Sequence, residues 1–214
     1  MVGTIKEKLM NKFNLREDLS NDDFLYEVAR RVCSMENYLG NGIDRMTFFV
    51  DEEIVLKINS AFGRRILELS SPEFDYDFLY ENNGTTDFSG RNSNLYYNLE
   101  KILDAEEVLE ELTKTTENDN EQSKYECLSF EEICESDKMH FAQIYGFTSN
   151  YGIEIVERCI PYETAESNYD EEYDFDKLQD VKAYLQEELD VSDLHDGNIG
   201  FSLCGMPKVL DFGM

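Results

Sequence analysis

The chain is poor in positive charge, histidine, proline and tryptophan, and each shortage argues against a class of function. Its 214 residues carry 19 Lys and Arg against 47 Asp and Glu, a formal charge of −28. A surface of that sign repels free nucleic acid and anionic membranes, and it favours basic partner proteins or simple solubility. There is no tryptophan, and the only histidines are His140 and His195, which argues against a histidine-ligated metal centre or a histidine-based triad. The cysteines, Cys33, Cys127, Cys134, Cys159 and Cys204, are odd in number and none forms a C-x-x-C pair. A disulfide scaffold and a zinc site are therefore poor expectations. No apolar run is long enough to span a bilayer, and Met1 to Lys6 has no signal-peptide core. The expectation is a cytoplasmic or virion-internal protein.

Apolar residues are nevertheless sufficient for a core, at 41% hydrophobic and 13% aromatic. The length suits one core or a small two-lobed unit. Ile5, Leu9 and Phe13, then Phe24, Val28 and Val32, recur at helical spacing, the second set preceded by Ser20 and Asp23 in a loose capping arrangement. Two helices that brace the N-terminal lobe are predicted. The runs 43–50 and 54–58 flank Asp51-Glu52-Glu53 and read as a hairpin. Residues 94–112 carry Leu95, Leu99, Ile102, Leu103, Leu109 and Leu112 near helical spacing, and 175–189 presents Leu178, Val181, Leu185 and Leu189 on one helical face. Between them, 141–147 and 153–160 read as strands across the turn 149–152. The polar stretches 70–93 and 113–138 look like insertions; alternation at Phe74, Tyr76 and Phe78 fits an edge strand or an ordered loop.

The C-terminal region carries the chemistry. Asp193-Leu194-His195-Asp196-Gly197-Asn198 is followed by two apolar runs around Cys204-Gly205-Met206-Pro207, and then by Asp211-Phe212-Gly213. A Gly/Pro turn between two such runs predicts a hairpin that brings Asn198 and Asp211 together. Upstream lie Gly40-Asn41-Gly42 and, inside an Ile/Val/Leu run, Lys57. A buried lysine is rare without a partner.

In this combination the sequence resembles the protein-kinase-like fold, closer to small-molecule kinases and compact bacteriophage kinase-like proteins than to eukaryotic protein kinases. The resemblance covers roughly residues 38–214. It implies Asp193 as catalytic base, Asn198 and Asp211 as metal ligands, Lys57 as the phosphate-contacting lysine, and Gly40 and Gly42 as the glycine loop. It also implies a hinge at Glu157 to Cys159 whose backbone meets adenine, with ATP and magnesium as cofactors. The family's regulatory helix falls on 94–112, where Glu100, Glu106 and Glu107 compete to pair with Lys57 and Tyr97 is an alternative occupant of the position; Glu100 is taken. His195 is read as orienting its loop.

Two departures matter. Val191 stands where the family has histidine, and the sequence ends just after Asp-Phe-Gly, where a kinase continues into its acceptor-binding lobe. The expected architecture is thus α+β, a minimal two-lobed kinase-like fold. It comprises a helical extension (1–37), an N-lobe-like sheet and helix with acidic insertions (38–160) and a reduced C-lobe (161–214). Two functions remain open. One is an acidic binding protein, weakly active or inactive as a kinase, that acts on a basic or nucleic-acid-binding partner protein. The other is an ATP- and magnesium-dependent phosphotransferase. The acid-rich run Glu163 to Asp176 inclines the reading to the first.

Overall fold

A computed structural model describes residues 3–71, 73–81, 90–168 and 173–211. The chain is a mixed α+β protein that divides into two compact units, one of Met1–Ser123 with Tyr145–Ile155, the other of Lys124–Ile144 with Val156–Met214.

Unit one is built on a sheet of β1 (Tyr38–Asn41), β2 (Arg45–Phe49), β3 (Ile54–Asn59), β4 (Ile144–Phe147) and β5 (Ile153–Glu157), in the order β1-β2-β3-β5-β4. The expected hairpin is present: β2 and β3 are antiparallel with Phe48 opposite Leu56 and Thr47 opposite Lys57. Period-two alternation sends Met46, Phe48, Leu56 and Ile58 into the core, where all are almost fully buried. Burying each such side chain contributes about 1.5–3 kcal/mol. β1 meets β2 through an irregular step between Tyr38 and Gly40, where Gly40 adopts φ 155°. Only glycine takes up that backbone angle without strain.

The N-terminal helices α1 (Gly3–Phe13) and α2 (Asn21–Val32) belong to this same core through Leu9, Phe24, Leu25, Val28 and Val32. Bracing is their structural role. Ser20 caps α2 by accepting from Asp23 N at 3.1 Å and donates to the Asp23 carboxylate at 2.7 Å, the reciprocal arrangement the sequence suggested.

Two expectations are corrected. The alternation at 74, 76 and 78 is not a strand: α4 (Tyr76–Glu81) forms instead, with the Asp75 carboxylate accepting from Phe78 N and the Phe74 ring tilted against Phe78 at 5.4 Å. Residues 94–112 are two helices, α5 (Gly90–Leu99) and α6 (Ala105–Thr113), because Asp104 caps the second through Glu106 N and Glu107 N. Periodicity missed the break since Leu99 and Val108 face one core. The stretch 113–138 contains a further helix, α7 (Glu121–Glu132). A helix unmarked in the sequence pattern, α3 (Ser60–Ser70), follows β3 directly, capped by the Asn59 side chain.

Unit two contains α8 (Tyr162–Asn168), α9 (Phe175–Glu188) and a sheet of β6 (Cys159–Pro161), β7 (Ile199–Ser202) and β8 (Pro207–Val209). The predicted strand 153–160 is thus divided between two sheets. β6 and β7 run so close that a Cβ on Gly200 would sit 2.2 Å from the Ile160 carbonyl oxygen.

Candidate functional site

Each unit carries part of the predicted set. In unit two, Val191 and Leu194 are buried and anchor the chain on both sides of Asp193, whose carboxylate stays exposed. Asp193 has φ 59°. A non-glycine residue in the left-handed region costs free energy, and such strain concentrates at functional sites. Asn198 Nδ2 donates to the Asp193 carbonyl at 3.0 Å and to Asp193 Oδ2 at 3.3 Å, so these two residues are brought together as expected.

His195 closes the loop between them. Its Nδ1 accepts the Gly197 N–H at 3.0 Å, which places any proton of the neutral ring on Nε2, 3.8 Å from Asp193 Oδ1. The histidine thus bonds within its own loop.

The β7–β8 hairpin continues the same register. Ile199 lies opposite Val209, and Leu210 N donates to Asn198 O at 2.8 Å. Asp211 follows at once and is half-buried. Phe212 and Gly213 lie outside the described residues, as do Phe88 and Asp170, Glu171 and Glu172 of the acidic run. With its Nδ2 turned to Asp193, Asn198 directs Oδ1 away from that carboxylate. One amide oxygen and one carboxylate suit magnesium, a hard ion that takes one or two protein oxygens and keeps water and phosphate for the rest. Among the described residues no group of three or more His, Cys, Asp or Glu is placed to hold a metal.

Glu157, the predicted start of the hinge, is occupied within its own unit. Its N–H donates to Gln143 O at 2.8 Å, and its Oε2 accepts from Gln143 N and pairs with Lys208 Nζ, each at 3.0 Å. Lys208 Nζ also donates to Phe141 O at 3.0 Å. Cys159, the other predicted hinge position, lies in β6 opposite Ser202.

In unit one, Lys57 lies on the sheet face opposite the helical core and is half-buried, not enclosed in apolar surroundings as its sequence context suggested. Among the described residues the buried lysine is Lys208, at 6% exposure. Arg45 and Glu154 form a second buried pair, at 3.4 Å, and Glu154 Oε1 has no hydrogen-bond partner. Gly42 sits at an exposed turn and donates its N–H to Arg45 O at 2.9 Å, so that amide closes the turn. Of the glutamates weighed as partners for Lys57, Glu100 is exposed in the α5–α6 connection, and Glu106 and Glu107 are exposed on α6.

Sequence reasoning missed Arg45, Glu154 and Lys208. Glu154 stands between Ile153 and Ile155, and Lys208 stands next to Val209. A charge inside an apolar run was the signal at Lys57, and the same signal marks both of these.

A separate polar cluster in unit two gathers around Asp137. The Cys134 thiol donates to Asp137 Oδ2 at 2.8 Å and Tyr184 OH to Oδ1 at 3.1 Å. These bonds, the Cys134 one foremost, hold the Asp137 carboxyl below its ordinary range.

No protein-family description matches the chain, and no curated protein matches it. A solved structure described as the complex of Rv3197 with erythromycin from Mycobacterium tuberculosis is 14% identical, with a TM-score of 0.39 over 99% of this chain and 55% of that one. The chain thus spans about half the length of that protein, and a likeness of that size carries no argument.

Proposed function

We propose that the chain is an acidic, kinase-like binding protein that docks a basic surface of a partner protein and is weak or inactive as a phosphotransferase. The observation that carries this reading is where the scarce cations go. Arg45 pairs with Glu154, Arg64 and Arg65 with Glu68, and Lys208 with Glu157, all at sites largely removed from solvent. These pairs take cations and carboxylates out of solvent in nearly equal number, so the surface keeps the strongly negative balance of the composition with fewer cations to interrupt it. Exposed Glu107 and Glu110 on one helix, beside Glu106, which Arg30 meets at 3.1 Å, present that charge to a partner. Such a field steers a basic protein and speeds its association.

The second reading, ATP- and magnesium-dependent phosphoryl transfer, is favoured by the strained Asp193 backbone and its bond to Asn198. In it Asp193 would orient the acceptor hydroxyl, Asn198 and Asp211 would hold the metal ion, and Lys57 would contact phosphate. Against it, the N–H groups of Gly42 and Glu157 are already bonded within their own units.

One experiment separates the two. Thermal unfolding is followed with millimolar ATP and magnesium for the wild type and for Asp211→Asn. A ligand at about 100 times its dissociation constant stabilises by about 2.7 kcal/mol. A rise in Tm that the variant loses, together with turnover that Asp193→Ala abolishes, would establish the phosphotransferase. No shift leaves the binding protein.

A further inference from the structure

We infer that the Gly42–Asp44 turn is a fixed feature latched by Asn92 of helix α5, and not a mobile flap. The turn tip is exposed, yet its polar groups are tied to side chains that are not. Asn92 Nδ2 donates to Ile43 O at 3.2 Å and to the Asp44 carboxylate at 2.7 Å. Ser60, fully buried at the start of α3, donates its hydroxyl to Ile43 O at 2.6 Å and its N–H to Asp44 O at 2.9 Å.

The latch is itself anchored. Asn59 Nδ2 donates to Asn92 Oδ1 at 3.2 Å and to Asn120 Oδ1 at 3.1 Å, and Asn120 Nδ2 donates to Asn150 O at 2.9 Å. Asn59, Asn92 and Asn120 are each 4% exposed. Releasing the turn would strand buried amide groups without partners, and that cost opposes opening far more than the loss of solvated bonds would. One network thus ties the turn to α5, to the end of β3, to the segment before α7 and to the β4–β5 turn, all within unit one. The consequence for nucleotide rests on the kinase-like reading: the glycine turn would receive phosphate in a geometry set beforehand by Asn92, a positioning residue. The latch itself stands without it.

The test is amide hydrogen exchange in the absence of nucleotide, so its outcome is independent of the ATP titration. The Gly42 and Ser60 amides report the turn, because their bonds to Arg45 O and Asp44 O close only when it is in place. Asn92→Leu keeps the branched side-chain shape and removes the donor group; exchange at Gly42 and Ser60 should rise at least about tenfold, with amides in the middle of β2 and β3 unchanged. Should that variant fail to fold, Ser60→Ala removes only the 2.6 Å bond and should speed Gly42 by about threefold. Exchange within twofold of wild type would overturn the latch, and so would equal acceleration in β2 and β3, which would assign Asn92 to the core.

Discussion

The buried pair between Lys208 and Glu157 should be among the most sensitive points of unit two. Lys208 Nζ holds both Glu157 Oε2 and Phe141 O at 3.0 Å, and Glu157 Oε2 also receives the Gln143 N–H. Lys208→Met keeps the stem and removes the charge, leaving a carboxylate and a carbonyl short of a donor. Breaking one side of a buried pair costs about 3–5 kcal/mol. The Glu157 side chain is 19% exposed, and water reaching it relieves part of the penalty, so about 2–4 kcal/mol is expected. In a unit of roughly 80 residues that lowers Tm by on the order of 10 °C or more.

The companion Lys208→Met with Glu157→Gln removes both charges, while the introduced amide oxygen still accepts from the Gln143 N–H. It should return to within about 1 kcal/mol of wild type. Urea unfolding of the four proteins gives the coupling directly. A Lys208→Met loss below about 0.5 kcal/mol, or a double variant equal to the sum of the singles, would refute the reasoning, because additivity is what uncoupled residues show.

Gly200→Ala should destabilise unit two by several kcal/mol, as the new Cβ would meet Ile160 O at 2.2 Å and backbone cannot swing aside as a side chain can; urea unfolding measures it. His140 is held below the ordinary imidazole range by burial first and by the Lys208 and Lys177 charges, against the opposing pull of Asp137. The unfolded chain therefore binds the proton more readily, and stability should be flat above pH about 6.5 and fall as pH drops from there through the folded value. His140→Phe should flatten that part of a Tm-versus-pH curve, and an unchanged curve would remove His140 as its source. Neutralising Glu106, Glu107 and Glu110 together should slow association with a lysine-rich peptide and weaken its salt dependence, while Asp193→Ala should leave binding intact. Stopped-flow rates across a salt series check both.

The local elements were legible in the sequence wherever one short-range force fixed them. α2 followed from Phe24, Val28 and Val32 with a capping serine, and the β2–β3 and β7–β8 hairpins followed from apolar runs about polar turns. The Asp193–Asn198 loop was legible too, because both partners lie within five residues and one side chain spans them. Tertiary structure was needed for every decision between equal local alternatives. Whether Phe74, Tyr76 and Phe78 alternate as a strand or turn as a helix depends on Tyr38, which meets Phe74 and Phe78 from a distant strand. Which charge is buried was beyond reach for the same reason: Lys57 and Lys208 both sit beside apolar residues, and only the packing of Phe141 and Glu157 around Lys208 enclosed one of them. The break of 94–112 into two helices was, by contrast, a local signal passed over, since Asp104 caps amides only two and three residues on. Sequence spacing reports periodicity along one element. Desolvation is set by what arrives from elsewhere in the chain.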